Sequence, residues 1–539
     1  MSTCQLKMAQ AFHVASFVPI KGPIKPSNCG SDLAVRFEPA TLIESAPDEA
    51  ACAVRSERKK VIVVGAGISG LRAAAVLHRY GCEVVVVEAR DRIGGRILTS
   101  RNGDQVRDIG AAWMHETSQN GLVKLIPLLS IPYYYDDGMP LYFTREGRAG
   151  SQFKAKKVAD EFADYCEWYY ETNADAEDRS VNDFVKEFVL QHQLITDDER
   201  LWAPQAVREV ELWIGTSTEQ ASSRHLSYFV TERNLYMKGG YDRIVNWTAE
   251  PLRHEPSMIR LNHQVEHVEW SDDGDTPVRV QCKDADGNPQ LIEGDAVVMT
   301  LPLGVYHHNL VSFNPPLPSD IQGAMSRFSY GALGKVFFEF SDIFWSKDND
   351  QFMFYPSPSD EDSLSASSVQ SSTSMSSRGE KDNILNYATV TINLWMMTGA
   401  KELCVQIAEP LTQRIEAMND SKEIYQFFEP LFKLFRTEPY KALPRLVSVE
   451  TTHWTQDPLA GYGTYSADKV GDDPDLLIAA LEAHKSSRMQ FAGEHCTMVA
   501  NGCVHGAFRT GEIAAVNLLD TFGIHLDGRD IGVKDKLII

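Results

Sequence analysis

Three closely spaced glycines that follow an apolar run at residues 61–64 limit the possible folds of this chain more than any other segment. The run leads directly into Gly65-Ala66-Gly67-Ile68-Ser69-Gly70 and then into a helical pattern. In such a GxGxxG turn the first glycine permits the tight turn, the second lets the backbone approach a pyrophosphate, and the third lets the helix pack closely on the strand. The N-terminus of the helix then faces the phosphates. The segment therefore predicts a Rossmann-like, dinucleotide-binding unit.

A second predicted strand, residues 83–87, follows this helix and ends at Glu88. A carboxylate at this position can accept hydrogen bonds from both ribose hydroxyls of an adenosine. A GxGxxG turn by itself is as consistent with a structural glycine turn as with a binding site. The strand, the glycines, the helix, the second strand and the acid in register together favour dinucleotide binding.

The composition argues against several other classes of protein. The 539 residues carry 52 Lys and Arg against 74 Asp and Glu, a formal net charge of −22, so a nucleic-acid backbone would be repelled. No stretch approaches the roughly 18 consecutive apolar residues of a membrane span. The nine cysteines are spread singly, which favours free thiols and gives no zinc spacing. We expect no nucleic-acid, membrane or metal partner and a cytoplasmic location, with organellar targeting by the N-terminal segment as the alternative.

The residues after Glu88 distinguish a flavin from a nicotinamide. Residues 88–97 read Glu-Ala-Arg-Asp-Arg-Ile-Gly-Gly-Arg-Ile, in which the paired glycines form a turn and Arg90 and Arg96 add positive charge beside a diphosphate. This arrangement resembles the flavin-dependent amine oxidase family, most closely its polyamine oxidases. The alternative is an arginine-rich loop that makes surface salt bridges.

Further segments spread along the chain resemble the same family: residues 108–115, 238–245, 300–305, 491–495 and 501–507. The resemblance covers roughly residues 59–522 and implies FAD as the cofactor. The residues that it assigns to cofactor binding are Gly65, Gly67, Ser69, Gly70, Glu88, Ala89, Arg90, Gly95, Arg96, Gly110, Ala111, Ala112, Trp113, Val265, Glu494, Cys503 and Val504. It implies that the Val265 backbone holds the adenine and that Glu494 accepts hydrogen bonds from the ribityl chain. A helix over residues 504–519 would point its N-terminal dipole at the flavin ring.

Lys335 lies in an apolar predicted strand, where a lysine is costly to bury. Its position resembles that of the family's lysine that holds a water against the flavin N5 atom. The resemblance implies that Lys335 orients this water and assists reoxidation by oxygen or imine hydrolysis. The alternative is a solvated residue at a sheet edge.

The resemblance also assigns His115, Tyr465 and Cys503 to the substrate side. His115 occupies the position at which animal-type polyamine oxidases have a histidine near the reacting amine; a core histidine is the alternative. Tyr465 fits one of two aromatic rings that commonly sandwich the substrate nitrogen. Cys503 occupies the position of the other ring. We therefore expect half of this cage to be missing or rebuilt, and the substrate to be bulkier or differently oriented.

The implied reaction dehydrogenates a carbon–nitrogen bond by hydride transfer to the flavin, followed by imine hydrolysis and reduction of molecular oxygen to hydrogen peroxide. The acidic chain favours a polycationic substrate, a polyamine. Glu116, Glu209 and Glu211 are candidates for binding its far ammonium groups, and solvated helix acids are the alternative. We expect non-covalent FAD, because residues 461–463, where relatives form a thioether, contain no cysteine.

Three rivals to this interpretation remain open. A lysine-specific histone demethylase would need an additional N-terminal helical domain and a long helical tower. An oxidase of a specialised secondary-metabolite amine or an amino acid would explain Cys503. A flavin-free binding protein resembling the GDP-dissociation inhibitors has no reason to keep Glu88, Arg96 and Glu494 together. Oligomeric state is left open.

The predicted fold class is α/β, with two domains as in the flavoprotein amine oxidases. These are a Rossmann-like FAD-binding domain and a mixed-sheet substrate domain with covering helices. We predict a tail or targeting segment at 1–58, FAD-binding segments at 59–128, 231–316 and 451–525, substrate-domain segments at 129–230 and 317–450, and a C-terminal tail at 526–539. Residues 155–213 and 402–437 are predicted to be helical. The Ser-rich residues 357–378 are predicted to form a mobile insertion at a hairpin or sheet edge.

Overall fold

The structure, a computed structural model, describes residues 58–525 except 104, 137, 139, 151–152, 227–232 and 359–381. The two predicted tails and the Ser-rich insertion lie outside the described residues, apart from residues 58, 357 and 358. None of the described helices combines the length and apolar character needed to cross a bilayer.

The α-helices in the described ranges are α1 (Ile68–Arg79), α2 (Leu125–Leu128), α3 (Ala155–Thr172), α4 (Val181–Gln191), α5 (Asp197–Val207), α6 (Glu211–Ile214), α7 (Asp242–Ala249), α8 (Leu303–His307), α9 (Ser319–Met325), α10 (Leu394–Thr398), α11 (Leu411–Glu416), α12 (Ser421–Leu434), α13 (Pro474–Ala483) and α14 (Val504–Thr521). The strands are β1 (Lys60–Val64), β2 (Glu83–Val87), β3 (Thr99–Asn102), β4 (Gln105–Asp108), β5 (Trp113–Met114), β6 (Tyr134–Asp136), β7 (Leu141–Thr144), β8 (Gly147–Arg148), β9 (Asn234–Tyr236), β10 (Ile259–Arg260), β11 (Gln264–Glu269), β12 (Val278–Lys283), β13 (Pro289–Gly294), β14 (Ala296–Met299), β15 (Ser312–Asn314), β16 (Ser329–Gly331), β17 (Leu333–Phe340), β18 (Gln351–Phe354), β19 (Thr389–Asn393), β20 (Glu402–Ala408), β21 (Leu446–Thr451), β22 (Tyr465–Ala467) and β23 (Met489–Phe491).

A five-stranded parallel sheet, in the order β10-β2-β1-β14-β23, carries the glycine turn. Successive side chains of β1 point to opposite faces. Val61 and Val63 pack with α1 and α14, whereas Ile62 and Val64 pack with the four-stranded sheet β13-β12-β11-β15. Because both faces of β1 are covered, its sequence is a continuous apolar run, as is typical of central parallel strands.

A seven-stranded mixed sheet, in the order β21-β17-β20-β19-β18-β7-β8, forms the second half of the core. Along β17, Phe338 and Phe340 pack with α12 on one face. Phe337 packs on the opposite face in a cluster that includes residues of α3, α4 and α5. Lys335 lies two residues before Phe337 on the same face, so the alternation of the strand turns the lysine toward these helices.

The prediction that residues 402–437 are helical throughout is wrong for their first part. Glu402–Ala408 forms β20, which pairs with both β17 and β19, and the helices begin only at α11. Six of the seven β20 residues are buried. A strand that is covered on both faces has a short, continuous apolar sequence. The periodicity of its apolar residues alone cannot distinguish it from a buried helix.

Residues 155–213 contain α3, α4, α5 and most of α6, as predicted, with short breaks between the helices. The Ser-rich segment connects β18 to β19, and these two strands are antiparallel neighbours in the sheet. All described residues belong to one compact unit. The α/β fold class is confirmed, with a dinucleotide-type parallel sheet and a mixed sheet covered by helices; the exact domain boundaries stay predictions.

Candidate active site

A large cavity of about 1160 Å³ extends from the glycine turn of the parallel sheet to the mixed sheet. It is larger than the roughly 300–1,000 Å³ typical of sites for drug-sized ligands. Gly65 and Gly67 line one part of it, and Lys335 and Ile392 line another. Every residue that the sequence assigns to catalysis or cofactor binding, except Gly70, lines this cavity.

The glycine turn leaves the N-terminus of α1 open to the cavity. The N-cap residue, Gly67, has no side chain to cap the helix, and the first turn contains no acidic residue. A Cβ atom on Gly67 would meet no protein atom within 4 Å, whereas one on Gly70 would lie 2.0 Å from the Gly65 carbonyl oxygen. The uncapped amide groups and the open space beside Gly67 fit a diphosphate. Gly70 instead allows the helix to approach the turn, which explains why it lies outside the cavity wall.

Glu88 lies at the end of β2 and is buried beside the glycine turn. Its carboxylate accepts hydrogen bonds from the backbone N–H groups of Ala66, at 2.7 Å, and Arg90, at 2.9 Å. Burial raises the pKa of Glu88. Each carboxylate oxygen has more than one acceptor position, so the predicted contact with ribose hydroxyls is compatible with these bonds and stays a prediction. Val265, which also lines this end, lies at an irregularity of the β11–β12 pairing.

Both arginines predicted to lie beside the diphosphate are already paired with acids. The Arg90 Nη2 atom lies 2.6 Å from the Asp457 Oδ2 atom, and the Arg96 Nη1 atom lies 2.8 Å from the Glu494 Oε1 atom. The family resemblance implies separate cofactor contacts for Arg96 and Glu494, and no sequence motif points to Asp457. Because each carboxylate offsets the charge of its arginine, neither pair adds net positive charge beside a diphosphate.

Glu494 links three segments of the cavity wall. Besides the pair with Arg96, its second carboxylate oxygen accepts hydrogen bonds from the Ser466 backbone N–H, the Ser466 hydroxyl and the Gly502 backbone N–H, at 3.2, 2.7 and 3.1 Å. A carboxylate offers about four acceptor positions. The described protein donors therefore use most of this capacity, and the predicted ribityl contact stays a prediction.

Lys335 is buried, with only 7% of its surface exposed. Strand β17 lies between β20 and β21, so the alternative of a lysine at a sheet edge is wrong. The Lys335 Nζ atom donates hydrogen bonds to the backbone oxygens of Asp108, at 3.1 Å, and Gly110, at 2.6 Å, and lies 5.3 Å from the centre of the Trp113 ring. Burial lowers the pKa of Lys335. Two carbonyl bonds account for two of the three ammonium donors.

His115 and its neighbours form a polar wall of the same cavity. The His115 Nδ1 atom lies 3.0 Å from the Asn234 amide oxygen, which can only accept, so Nδ1 carries the proton and Nε2 is an acceptor in the neutral ring. Burial lowers the pKa of His115 and favours this neutral form. Next to it, Glu116 lies 3.2 Å from His505, which lowers the pKa of Glu116.

Tyr465 and Cys503 lie at the start of β22 and at the N-cap of α14. The Tyr465 hydroxyl donates a hydrogen bond to the Trp213 carbonyl oxygen at 2.7 Å, which holds the ring in place. A Cβ atom on Gly502 would lie 3.3 Å from the Tyr465 ring. Burial raises the pKa of the Cys503 thiol to about 12, so it is a neutral, uncharged group in the cavity wall.

The three acidic residues proposed as ammonium ligands differ in position. Glu116 and Glu209 line the cavity, whereas Glu211 does not. Glu211 is buried and accepts hydrogen bonds from Arg208 and from both the backbone and the hydroxyl of Thr218. Its role is therefore structural, and the candidate assignment is wrong for this residue.

Sequence reasoning missed a second group of charged and polar residues in the cavity. Lys156 and Asp160, on α3, lie with Glu209 and Tyr142 in one part of the wall. On α3, Phe162, Cys166 and Tyr170 recur at helical spacing and are buried. The charged residues on the first turns of the same helix gave no comparable signal, because charges at helix spacing are most often solvated.

The fold and the cavity together define a two-domain flavoprotein class. Residues 68–519 match the family of flavin containing amine oxidoreductases. Because this match covers most of the chain, the protein belongs to that family, as the sequence motifs indicated. A flavin cofactor follows from this membership, and the glycine turn and the cavity fit FAD.

Relatives within the family carry different names. The chain is 28% identical over 493 residues to the corticosteroid-binding protein of Candida albicans, covering 86% of this chain and 97% of that protein. It is 28% identical to polyamine oxidase 4 of Oryza sativa subsp. japonica, with 84% and 87% covered. It is 27% identical to lysine-specific histone demethylase 1 homolog 2 of Arabidopsis thaliana, with 85% of this chain and 58% of that protein covered. The comparisons therefore establish flavin amine oxidoreductase membership and leave the amine open.

Proposed function

We propose that this protein oxidises a carbon–nitrogen bond of a polyamine and releases an aldehyde, a shorter amine and hydrogen peroxide. The observation that carries the proposal is that one cavity reaches from the diphosphate-type glycine turn to Lys335 and His115 and includes the carboxylate of Glu209. A bound flavin supplies the two-electron acceptor for this oxidation. The net reaction consumes one oxygen and one water for each bond cleaved.

We propose that the FAD is bound without a covalent link. Gly65, Gly67 and the uncapped start of α1 would hold the diphosphate, and Glu88 the adenosine ribose. Arg96 and Glu494 would hold the redox end as an ion pair. Residues 461–463 contain no cysteine, and the raised pKa of Cys503 disfavours its thiolate, the nucleophilic form.

His115 is proposed to receive a proton from the incoming ammonium group. The amine must become neutral before oxidation, because its lone pair has to assist the departure of the hydride. A neutral imidazole that lines the cavity and has an acceptor at Nε2 suits this step. Tyr465 offers an aromatic ring against which the substrate can pack. The Lys335 ammonium, anchored by two carbonyl oxygens, is proposed to orient the water that hydrolyses the imine.

A polyamine is favoured over a monoamine by charge. The net charge of −22 attracts multiply charged cations over a long range, and Glu209 is a half-buried carboxylate in the cavity wall. The polyamine oxidases among the relatives support the same class of substrate.

An amino-acid substrate is the second candidate, because Arg233 also lines the cavity, next to Asn234 in the chain. An arginine can bind a carboxylate through two parallel hydrogen bonds. The two candidates differ in the group that the cavity must recognise, a second ammonium or a carboxylate.

A peroxide-release screen separates these possibilities. Spermine, spermidine, their acetylated forms, monoamines and amino acids are each mixed with the holoenzyme in air, and peroxide release is measured. In a separate experiment without oxygen, reduction of the flavin by each compound is followed. Lys335→Met is expected to lower turnover by about 100-fold, the size of a typical acid–base or water-orienting contribution, while the exposed control Lys401→Met keeps the wild-type rate. Reduction by another amine but by no polyamine would contradict the substrate class and leave the oxidase intact. Unchanged rates in Lys335→Met would contradict the role of the lysine.

A further inference from the structure

Lys156 lies in the cavity wall beside Glu209, the carboxylate that is a candidate for binding the far ammonium group of the substrate. Lys156 projects from the first turn of α3, and Asp160 follows one turn later on the same helix. Both line the cavity together with Glu209. Lys335, the other lysine among the described lining residues, is held by backbone oxygens, whereas Lys156 is held by side-chain carboxylates.

The three charged groups form one cluster with a defined order of exposure. The Lys156 ammonium pairs with Asp160 and lies 3.9 Å from Glu209. The Asp160 side chain is 58% exposed, but that of Glu209 is only 19% exposed. Glu209 also accepts a hydrogen bond from the Tyr355 hydroxyl at 3.2 Å. Glu209 is therefore the inner carboxylate of the cluster, and Lys156 is already beside it.

This arrangement affects any second cation that enters. Two carboxylates and one ammonium leave a single net negative charge, so a cationic group is still attracted. It must share Glu209 with Lys156, however, and it meets the like charge of Lys156 at short range. The burial of Glu209 limits the screening of this repulsion by solvent.

We propose that Lys156 determines the specificity of this part of the site, because its ammonium competes with the far ammonium of the substrate for Glu209. The proposal rests on the proposed amine-oxidase function. Lys156 lowers the preference for a diamine over a monoamine of the same length. The site therefore accepts polyamines but tolerates substrates whose far end is uncharged.

The test compares octamethylenediamine with octylamine, which differ only in the far ammonium group. Both are titrated calorimetrically into full-length holoenzyme reduced with dithionite, which cannot consume the amine. Lys156→Met is expected to increase the ratio of the octylamine to the diamine dissociation constant by about five- to tenfold, and the gain should shrink at high salt. Lys156→Arg keeps the cation and is expected to retain the wild-type ratio.

Lys157→Met is the matched control, because Lys157 is the next residue of α3, is exposed and does not line the cavity. Glu209→Gln provides an independent test should Lys156→Met fold poorly. Because this change leaves Lys156 without its inner carboxylate partner, it is expected to lower the ratio of the octylamine to the diamine dissociation constant. Equal ratios in Lys156→Met and Lys157→Met, or an unchanged ratio in Glu209→Gln, would overturn the role of Lys156 while amine binding stands. If no form bound either amine, the proposed function itself would fail and the role of Lys156 with it.

Discussion

Glu494 illustrates how a single residue can organise this cavity. Its carboxylate joins Arg96, from the segment after β2, to Ser466 of β22 and to Gly502 just before α14. The Glu494 side chain is 5% exposed, and its pKa is lowered, because Arg96 and the hydrogen bonds outweigh the opposing effect of burial. The carboxylate therefore remains charged, and the segments around it depend on that charge.

Replacing Glu494 by Gln is expected to weaken FAD binding by about tenfold or more, because it leaves the largely buried Arg96 without its counter-charge. The measurement is the dissociation constant of FAD for the apoprotein. Glu512→Gln is the matched control: Glu512 pairs with Arg72 on α1, and neither residue lines the cavity. The control should lose stability but keep its FAD affinity. Equal FAD affinity in Glu494→Gln and the wild type would contradict the organising role of Glu494.

The close approach of the helices α1 and α14 depends on a glycine. A Cβ atom on Gly511, in α14, would lie 2.2 Å from the backbone oxygen of Ser69, in α1. Backbone cannot move aside as a flexible side chain can. The approach also matters for the site, because α1 and α14 both begin at the cavity.

Gly511→Ala is therefore expected to destabilise the protein by about 1–3 kcal/mol through overpacking. The matched control is Gly323→Ala, in the helix α9, where a new Cβ atom would meet nothing within 4 Å. That change should stabilise the protein by about 0.5–1 kcal/mol, because alanine lowers the entropy of the unfolded chain. Denaturant unfolding of the apoprotein measures both. Equal stabilities of the two variants would show that the helices can separate without cost.

The mixed sheet contains a cluster of charged residues across three adjacent strands. The guanidinium nitrogens of Arg107 lie 2.7 Å from a carboxylate oxygen of Glu402 in β20, 2.8 Å from one of Glu450 in β21 and 3.5 Å from one of Glu339 in β17. Burial raises the pKa of Glu402 to about 7, although Arg107 opposes the shift. The folded protein therefore binds a proton at Glu402 over a pH range in which the unfolded chain has released it.

This shift predicts that stability falls as pH rises from the ordinary pKa of a glutamate toward about 7. The folded state binds more protons than the unfolded state in that window, so raising the pH favours unfolding. The free energy of unfolding is measured with denaturant at about pH 5 and about pH 8. Relative to the wild type, Glu402→Gln should gain on the order of 2–3 kcal/mol in this free energy at the higher pH. The exposed control Glu438→Gln should follow the wild type. Parallel pH profiles for Glu402→Gln and the wild type would exclude this linkage.

Across the molecule, local sequence patterns could be predicted, but contacts between residues far apart in the chain could not. The strand, glycine turn, helix and acid at residues 61–88 form a continuous unit whose geometry follows from the residue types. The pairs Arg96–Glu494 and Lys156–Glu209 join residues far apart in the chain, and no local pattern indicates them. The strand β20 was misassigned because burial on both faces removes the alternation that identifies most strands. Family motifs supplied the site residues, but only the fold revealed which of their charges are already paired.

We propose that the cavity holds one FAD per chain without a covalent bond. Its most direct test is the flavin content of the purified full-length protein before and after acid precipitation. We predict a yellow protein with one flavin per polypeptide, all of which moves to the supernatant and is identified there as FAD. A colourless protein that takes up no FAD, or a flavin that stays with the precipitated chain, would contradict non-covalent FAD binding in this cavity.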